Sequence, residues 1–340
     1  MAERALKCPQ CNAPLTPSRF ARSVVCPFCG STVLLDEQAV PAERFRAAFR
    51  AWSSPENHGY TSWISIGDSH WALGPRIAQG EVSDVHAAER ARWPTERALL
   101  KILRDHRDEA GFQHEWQVLE TLQESDAPGA ARLAARLPQP ILYGAATDGA
   151  RPGAKVMVLR WANGFVHTFE DVRRAYPRGI EPRPSVWIWR RILELLAFLH
   201  AAGFVHGAVL PPHLLVEEGE HGVRLVGFRA ADRAGLPLRD VCSRCESFYP
   251  PDLLGSRKLA PAADLAMSAR CVAALLGGDP ASGRMPASVP APLAREIGRV
   301  SSLHESSGGD AWELHKRLGE LAREIFGPPA FCPLKMPKEA

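Results

Sequence analysis

The chain carries almost no net charge: 41 Lys and Arg stand against 38 Asp and Glu, leaving +3 over 340 residues. That balance gives no reason to expect nucleic acid or an anionic membrane as a partner. Long apolar runs are missing too. The most hydrophobic region, Val186 to Val216, is broken by Arg190, Arg191 and Glu194, so nothing reaches the roughly 18 uninterrupted residues of a membrane span. Met1-Ala2-Glu3-Arg4 is charged and runs straight into cysteines, which leaves no room for the apolar segment of a signal peptide. A cytoplasmic protein is the expectation. There is no internal repeat and no low-complexity tract, and the 29 prolines are scattered. With 46% hydrophobic and 23% charged residues, the composition is that of a globular protein with ample material for a core.

Eight cysteines in a chain of this size without a signal sequence point to metal rather than disulfides. Four of them form two C-x-x-C pairs, Cys8-Pro9-Gln10-Cys11 and Cys26-Pro27-Phe28-Cys29, separated by 14 residues. Each pair makes a tight turn that aims two thiolates at one point, and two such turns complete a tetrahedral zinc site. Residues 1–36 resemble a zinc ribbon on this pattern. Four thiolates leave no open coordination position, so the zinc is expected to be structural, stapling a segment too short to build its own core. Whether the ribbon also recruits a partner stays open. Residues 37–62 read as a linker with a short possible helix from Ala42 to Trp52, and 331–340 as a tail.

A series of partial motifs follows in a telling order. Ala78-Gln79-Gly80-Glu81-Val82-Ser83-Asp84-Val85 lies between two expected strands. Ala98-Leu99-Leu100-Lys101-Ile102-Leu103 is an apolar strand holding one lysine. A helix from about Glu109 to Glu124 carries Glu115 beside Val118, Leu119 and Leu122. Lys155-Val156-Met157-Val158-Leu159 is another strand, leading into Arg160-Trp161-Ala162. A helix expected from Ser185, as N-cap, to Gly203 shows Ile188, Ile192, Leu195, Leu196 and Leu199 at helical spacing. After it come His206-Gly207-Ala208, Leu210, His213, then Gly227-Phe228, Tyr249-Pro250-Pro251-Asp252, and Asp264 opening a helix to Leu276.

In order and spacing this resembles the protein kinase superfamily from about Leu73 to Pro328. The resemblance implies an α+β, bilobal fold, with a β-rich N-lobe and hinge over 63–164 and a helical C-lobe over 165–330. It implies that Gly80, Val85, Lys101, Glu115, Leu159 and Trp161 would surround a nucleotide, Lys101 and Glu115 as the ion pair that holds phosphates. It implies that Asp264 braces the loop at His206 and that Phe228 packs.

The same alignment of motifs exposes what is gone. Ala208 stands where the family keeps its catalytic Asp, His213 where Asn holds magnesium, and Gly227 where the second metal-binding Asp belongs. Ala78 and Ser83 replace two glycines of the phosphate loop, which should stiffen it, and Leu210 replaces a lysine. No arginine is evident to pair with Asp252, since Gly308-Gly309 falls near its place. Without a base, which is commonly worth on the order of 10²–10⁴ in rate, and without metal ligands, ordinary kinase activity is not expected. His206, His213, Glu217, Glu218 and Asp232 lie near the degraded motifs, but imidazole suits magnesium poorly. Cys242-Ser243-Arg244-Cys245 is a lone C-x-x-C, read as free thiols.

The expectation is therefore a bacterial-type pseudokinase with no catalytic residue at Ala208, His213 or Gly227. Its cofactors would be a structural Zn²⁺ on Cys8, Cys11, Cys26 and Cys29 and ATP held without catalysis. Its partner would be another protein that it scaffolds or regulates. The alternative is an atypical ATP-dependent transferase, phosphoryl or nucleotidyl, on the same scaffold. A third reading makes the ribbon the active surface and the body its platform.

Overall fold

A computed structural model describes residues 6–8, 13–16, 23–27, 32–35, 60, 62–91, 96–162, 164–218, 222–330 and 332–337. The helix expected over 42–52 lies outside them. The chain is α+β and divides into two compact units: Met1–Ala110 with Pro140–Gly164, and Gly111–Gln139 with Phe165–Ala340.

The first unit begins with two small antiparallel hairpins, β1 (Leu6–Lys7) with β2 (Pro14–Leu15) and β3 (Ser23–Val25) with β4 (Thr32–Leu34). Six longer strands follow: β5 (Ser62–Ile66), β6 (Ser69–Gln79), β7 (Ser83–Arg90), β8 (Arg97–Leu103), β9 (Pro140–Gly149) and β10 (Lys155–Arg160). They close into an antiparallel barrel in the order β10-β8-β7-β6-β5-β9. Period-two alternation builds it. Ala98, Leu100 and Ile102 of β8 point inward with Ile64 and Ile66 of β5, Trp71 of β6 and Val156 and Val158 of β10, all in one core. The strand β5 was not expected. It begins at the last residue assigned to the linker, and its alternating Ile64 and Ile66 are the signal that marks it.

The second unit is mainly helical. Its elements are α1 (Glu109–Gln123, from Gly111 on), α2 (Ala130–Leu133), β11 (His167–Thr168), α3 (Phe169–Ala175), α4 (Pro182–Ala201), β12 (Phe204–Val205), β13 (Leu214–Val216), β14 (Val223–Leu225), β15 (Asp232–Arg233), α5 (Pro251–Ser256), α6 (Pro261–Leu275), α7 (Ala291–Ser301) and α8 (Ala311–Phe326). Small antiparallel sheets, β11-β13-β14 and β12-β15, frame the loops between α4 and α5. The helix α1, expected within 63–164, groups from Gly111 with this unit. Its His114 and Glu115 bond to the 228–231 segment, which explains the grouping.

At the centre lie α4 and α6. Every α6 residue after Pro261 is buried, and Ile188, Ile192, Leu195, Leu196 and Leu199 of α4 are fully buried, on the face their spacing marked. Trp189 Nε1–H donates to Ser268 Oγ at 3.0 Å, tying the two helices at their core. The start of α4 differs from the expectation at Ser185. Glu181 is the N-cap, and Ser185 is buried in the first turn, where its hydroxyl donates to the Pro182 carbonyl at 2.7 Å. Pro182 sets the start because its fixed φ suits the first helical position and its missing N–H would be unpaired there in any case. The tail is docked: Leu334 is buried, Met336 N–H donates to Glu218 Oε2 at 2.9 Å, and the Tyr176 hydroxyl donates to the Lys335 carbonyl.

Candidate functional site

The loop after β12 is organised from beneath by one buried carboxylate. Asp264, in the first turn of α6, is fully buried, and both of its oxygens are used. Oδ2 accepts from the backbone N–H of His206 at 2.8 Å and lies 3.0 Å from His200 Nε2; Oδ1 accepts from the N–H of Gly207 at 2.9 Å. Charge-assisted bonds of this kind are the strong ones, and they fix the loop backbone to the core helix.

His206 is held just as firmly. Its Nε2–H donates to the Val226 carbonyl and its Nδ1 accepts from the Ala208 N–H, both at 3.2 Å, which requires a neutral ring. Burial pushes its pKa down to about 4, with the neighbouring His213 acting in the same direction against Asp264. The Phe228 ring packs edge-on at 4.6 Å, and the Phe228 N–H donates to Glu115 Oε1 at 3.2 Å.

The three positions that lack the expected chemistry are mutually fitted. Ala208 is buried and offers only backbone; its carbonyl accepts from His213 Nδ1–H at 2.8 Å. That bond turns the rest of the His213 ring onto Gly227. A Cβ at Gly227 would sit 2.7 Å from His213 Nε2 and Cδ2, and the residue has φ +79°, a left-handed conformation that disfavours any L side chain. A carboxylate at 227 is thus excluded twice over. Magnesium demands octahedral oxygen ligands, and a glycine beside an imidazole supplies none, so the residues present do not fit that ion. Leu210, where the kinase resemblance implies a lysine, is fully buried.

The other acids near the loop are occupied. Asp232 accepts from Arg239 Nη2 at 2.9 Å and from its Nε at 3.1 Å, and lies 3.5 Å from His114 Nε2. Its pKa is lowered by hydrogen bonds from Arg233 N–H and Arg239, which outweigh its burial. Glu218 holds the tail and lies 3.1 Å from His167 Nε2, while Glu217 N–H closes the turn to the Gly222 carbonyl. Cys242 and Cys245 are both buried, and Cys245 N–H donates to the Cys242 carbonyl at 3.0 Å. The Cys245 thiol is pushed up by its hydrogen bond to Cys242 and by burial, so it stays a thiol. Among the described residues, no group of three or more His, Cys, Asp or Glu gathers as a metal site.

In the barrel unit, Val85 and Met157 flank Lys101 across neighbouring strands, and Leu159 lies two residues along the same face of β10. This face is the one turned away from the barrel core. Trp161 follows β10 and is half-buried. Gly80 begins the β6–β7 turn, which is fastened by Arg104, a residue the sequence reading passed over. Arg104 N–H donates to the Val82 carbonyl at 2.9 Å, and its guanidinium donates to the carbonyls of Gly80 and Glu81. Buried Asp84 orients that guanidinium at 3.0 Å and takes a second arginine, Arg151, at 3.1 Å. These arginines hold the Asp84 carboxyl below its ordinary range despite the burial. Lys101 and Glu115 belong to different units.

At the N-terminus each C-x-x-C falls between the strands of one hairpin. Cys8 and Cys26, one from each, are buried together with Leu15 in a small cluster edged by Ala13, Val24 and Val33. Cys8 N–H donates to the Ala13 carbonyl at 2.8 Å, closing the first turn. Cys8 and Cys26, from separate hairpins in one sparse cluster, are donors of the kind zinc prefers. Cys11 and Cys29 lie outside the described residues.

Arg270 also escaped the sequence reading. Buried on α6, it donates through Nη1 to the carbonyls of Ser247 and Tyr249, both at 3.1 Å. Asp252, left without an obvious arginine by sequence, accepts from the backbone N–H of Glu305 at 2.9 Å. No family model matches the chain, and no curated protein matches it either.

Proposed function

We propose that the protein is a pseudokinase: a kinase-like scaffold or allosteric regulator that works by binding another protein, not by transferring phosphate. The observation that carries this reading is the seating of the His213 ring against Gly227, with Ala208 contributing only a carbonyl. These are the positions at which phosphoryl transfer needs a base and two metal ligands. They are filled by groups that pack, while the supports around them, Asp264 and Phe228, remain.

Residual nucleotide binding draws on Gly80, Val85, Lys101, Leu159 and Trp161 of the barrel unit, and is weak or independent of magnesium because no carboxylate stands at 227. The fastening of the 80–83 turn by Arg104 argues in the same direction, since a phosphate loop needs its backbone free to close over a ligand. The four N-terminal cysteines hold a structural zinc, in a ribbon that caps the body or recruits the partner.

The test is incubation of the purified chain with ATP labelled at the α- or the γ-phosphate, with a thermal-shift titration of ATP with and without magnesium. The expected result is no covalent label, and a thermal shift that is small or absent and unchanged by magnesium. Transfer of label that is abolished by Lys101→Ala would replace this reading with the atypical transferase.

A further inference from the structure

We infer that the crevice between α4 and the C-terminal half of α8 is a binding site for a small oxyanion, a phosphate or carboxylate group, carried on an apolar body. The inference draws on the second unit alone and is independent of the pseudokinase reading. The crevice has a volume of about 70 Å³, several times the roughly 10–15 Å³ that admits one water. Arg183, Arg190 and Arg323 supply its charge, Trp187, Phe326 and Pro328 much of its apolar wall, and no carboxylate lines it.

Three arginines and no acid line the crevice, so its charge is complementary to an anion. Glu194, the acid that acts on Arg190, lies 2.7 Å from Arg191 and 3.4 Å from His315 Nε2. Arg323 is exposed and has no ion-pair partner among the described residues. Burial, and then the like charges of Arg191 and Arg323, lower the Arg190 pKa against the pull of Glu194.

Two of the cations are also positioned. Arg190 lies over the Trp187 ring at 5.3 Å and donates through Nε to the His315 carbonyl at 3.2 Å. Gly319 makes room for it, since a Cβ there would come within 3.3 Å of the guanidinium carbon. Arg183 is anchored by a 2.9 Å bond from Nη2 to the Pro328 carbonyl. Guanidinium groups held in place before binding lose little freedom when an oxyanion arrives, and their planar forks match its oxygens. The aromatic and proline wall then accommodates the group that carries the charge.

Isothermal titration calorimetry on the full chain tests this, with inorganic phosphate, phenyl phosphate and benzoate at constant ionic strength set by sodium chloride. Phenyl phosphate is expected to bind saturably and at least threefold tighter than inorganic phosphate. Arg323→Ala should weaken it at least tenfold, whereas Lys316→Ala, which removes an exposed charge elsewhere on α8, should leave it unchanged. Circular dichroism of both variants verifies that they fold. Phenyl phosphate tighter than benzoate assigns the headgroup as phosphate, and the reverse order assigns it as carboxylate. Absence of saturable binding by any of the three, or equal weakening by the two substitutions, overturns the site. Equal affinity for phosphate and phenyl phosphate overturns the apolar half of the inference.

Discussion

Gly227 and His213 show how a missing side chain can be a structural requirement. Replacing Gly227 by Asp forces an L residue into φ +79° and drives its Cβ to 2.7 Å from the His213 ring. The conformational term is about 1–2 kcal/mol and overpacking typically adds about 1–3 kcal/mol. Gly227→Asp should therefore lower the unfolding free energy by about 2–5 kcal/mol in urea denaturation. In the Gly227→Asp, His213→Asn double variant the steric part should be recovered, appearing as a favourable coupling in the cycle. Additive effects would show that the ring is not what excludes the side chain. His206 supplies the pH dependence. Its folded pKa of about 4 lies below the ordinary 6.5, so below 6.5 the unfolded chain takes up a proton that the folded chain refuses. The stability present above pH 6.5 is lost as pH falls toward 4, by up to about 3 kcal/mol. His315, lowered chiefly by burial, acts with the same sign. Urea unfolding across this range should reveal the decline, and His206→Asn should flatten it.

Among the elements, the tie from α6 to the 206–207 loop matters most. Asp264→Ala leaves two buried backbone N–H groups and the His200 ring without their acceptor. Each unsatisfied group costs roughly 1–3 kcal/mol, so the substitution should cost about 3–5 kcal/mol, read from the denaturation midpoint at constant slope. A loss below about 1 kcal/mol would mean that the loop is held by its apolar neighbours. Much at this scale was legible beforehand. The face of α4 followed from the spacing of Ile188, Ile192, Leu195, Leu196 and Leu199, whereas the bracing role of Asp264 came only from the resemblance to kinases. The start of α4 was misjudged because Ser185 offered a capping side chain while Pro182 offered a backbone already set for helix. The Arg104 fastening was invisible because it joins residues more than twenty apart through main-chain carbonyls, which leave no mark on residue type. Arg270 was hidden the same way. Barrel closure by β5 was missed because a five-residue strand bordering a proline-containing stretch gives a short signal.

At the scale of the whole chain, the N-terminal cysteines yield the plainest prediction. Elemental analysis of the purified protein should give one zinc per chain, and Cys8→Ser or Cys26→Ser should abolish it. A chain that folds normally and holds no zinc would remove the ribbon from the reading. No helix among the described residues is long and apolar enough to cross a membrane. The scaffold was more readable than its use because burial imposes periodicity on sequence, whereas a protein partner imposes none that one chain displays. The seating of an imidazole against a bare α-carbon also couples the two positions. A side chain fits at position 227 only after position 213 has shrunk, and shrinking position 213 first leaves a hole with no reward. Any path to a carboxylate at 227 therefore crosses a less stable intermediate, so the two sites are locked to each other.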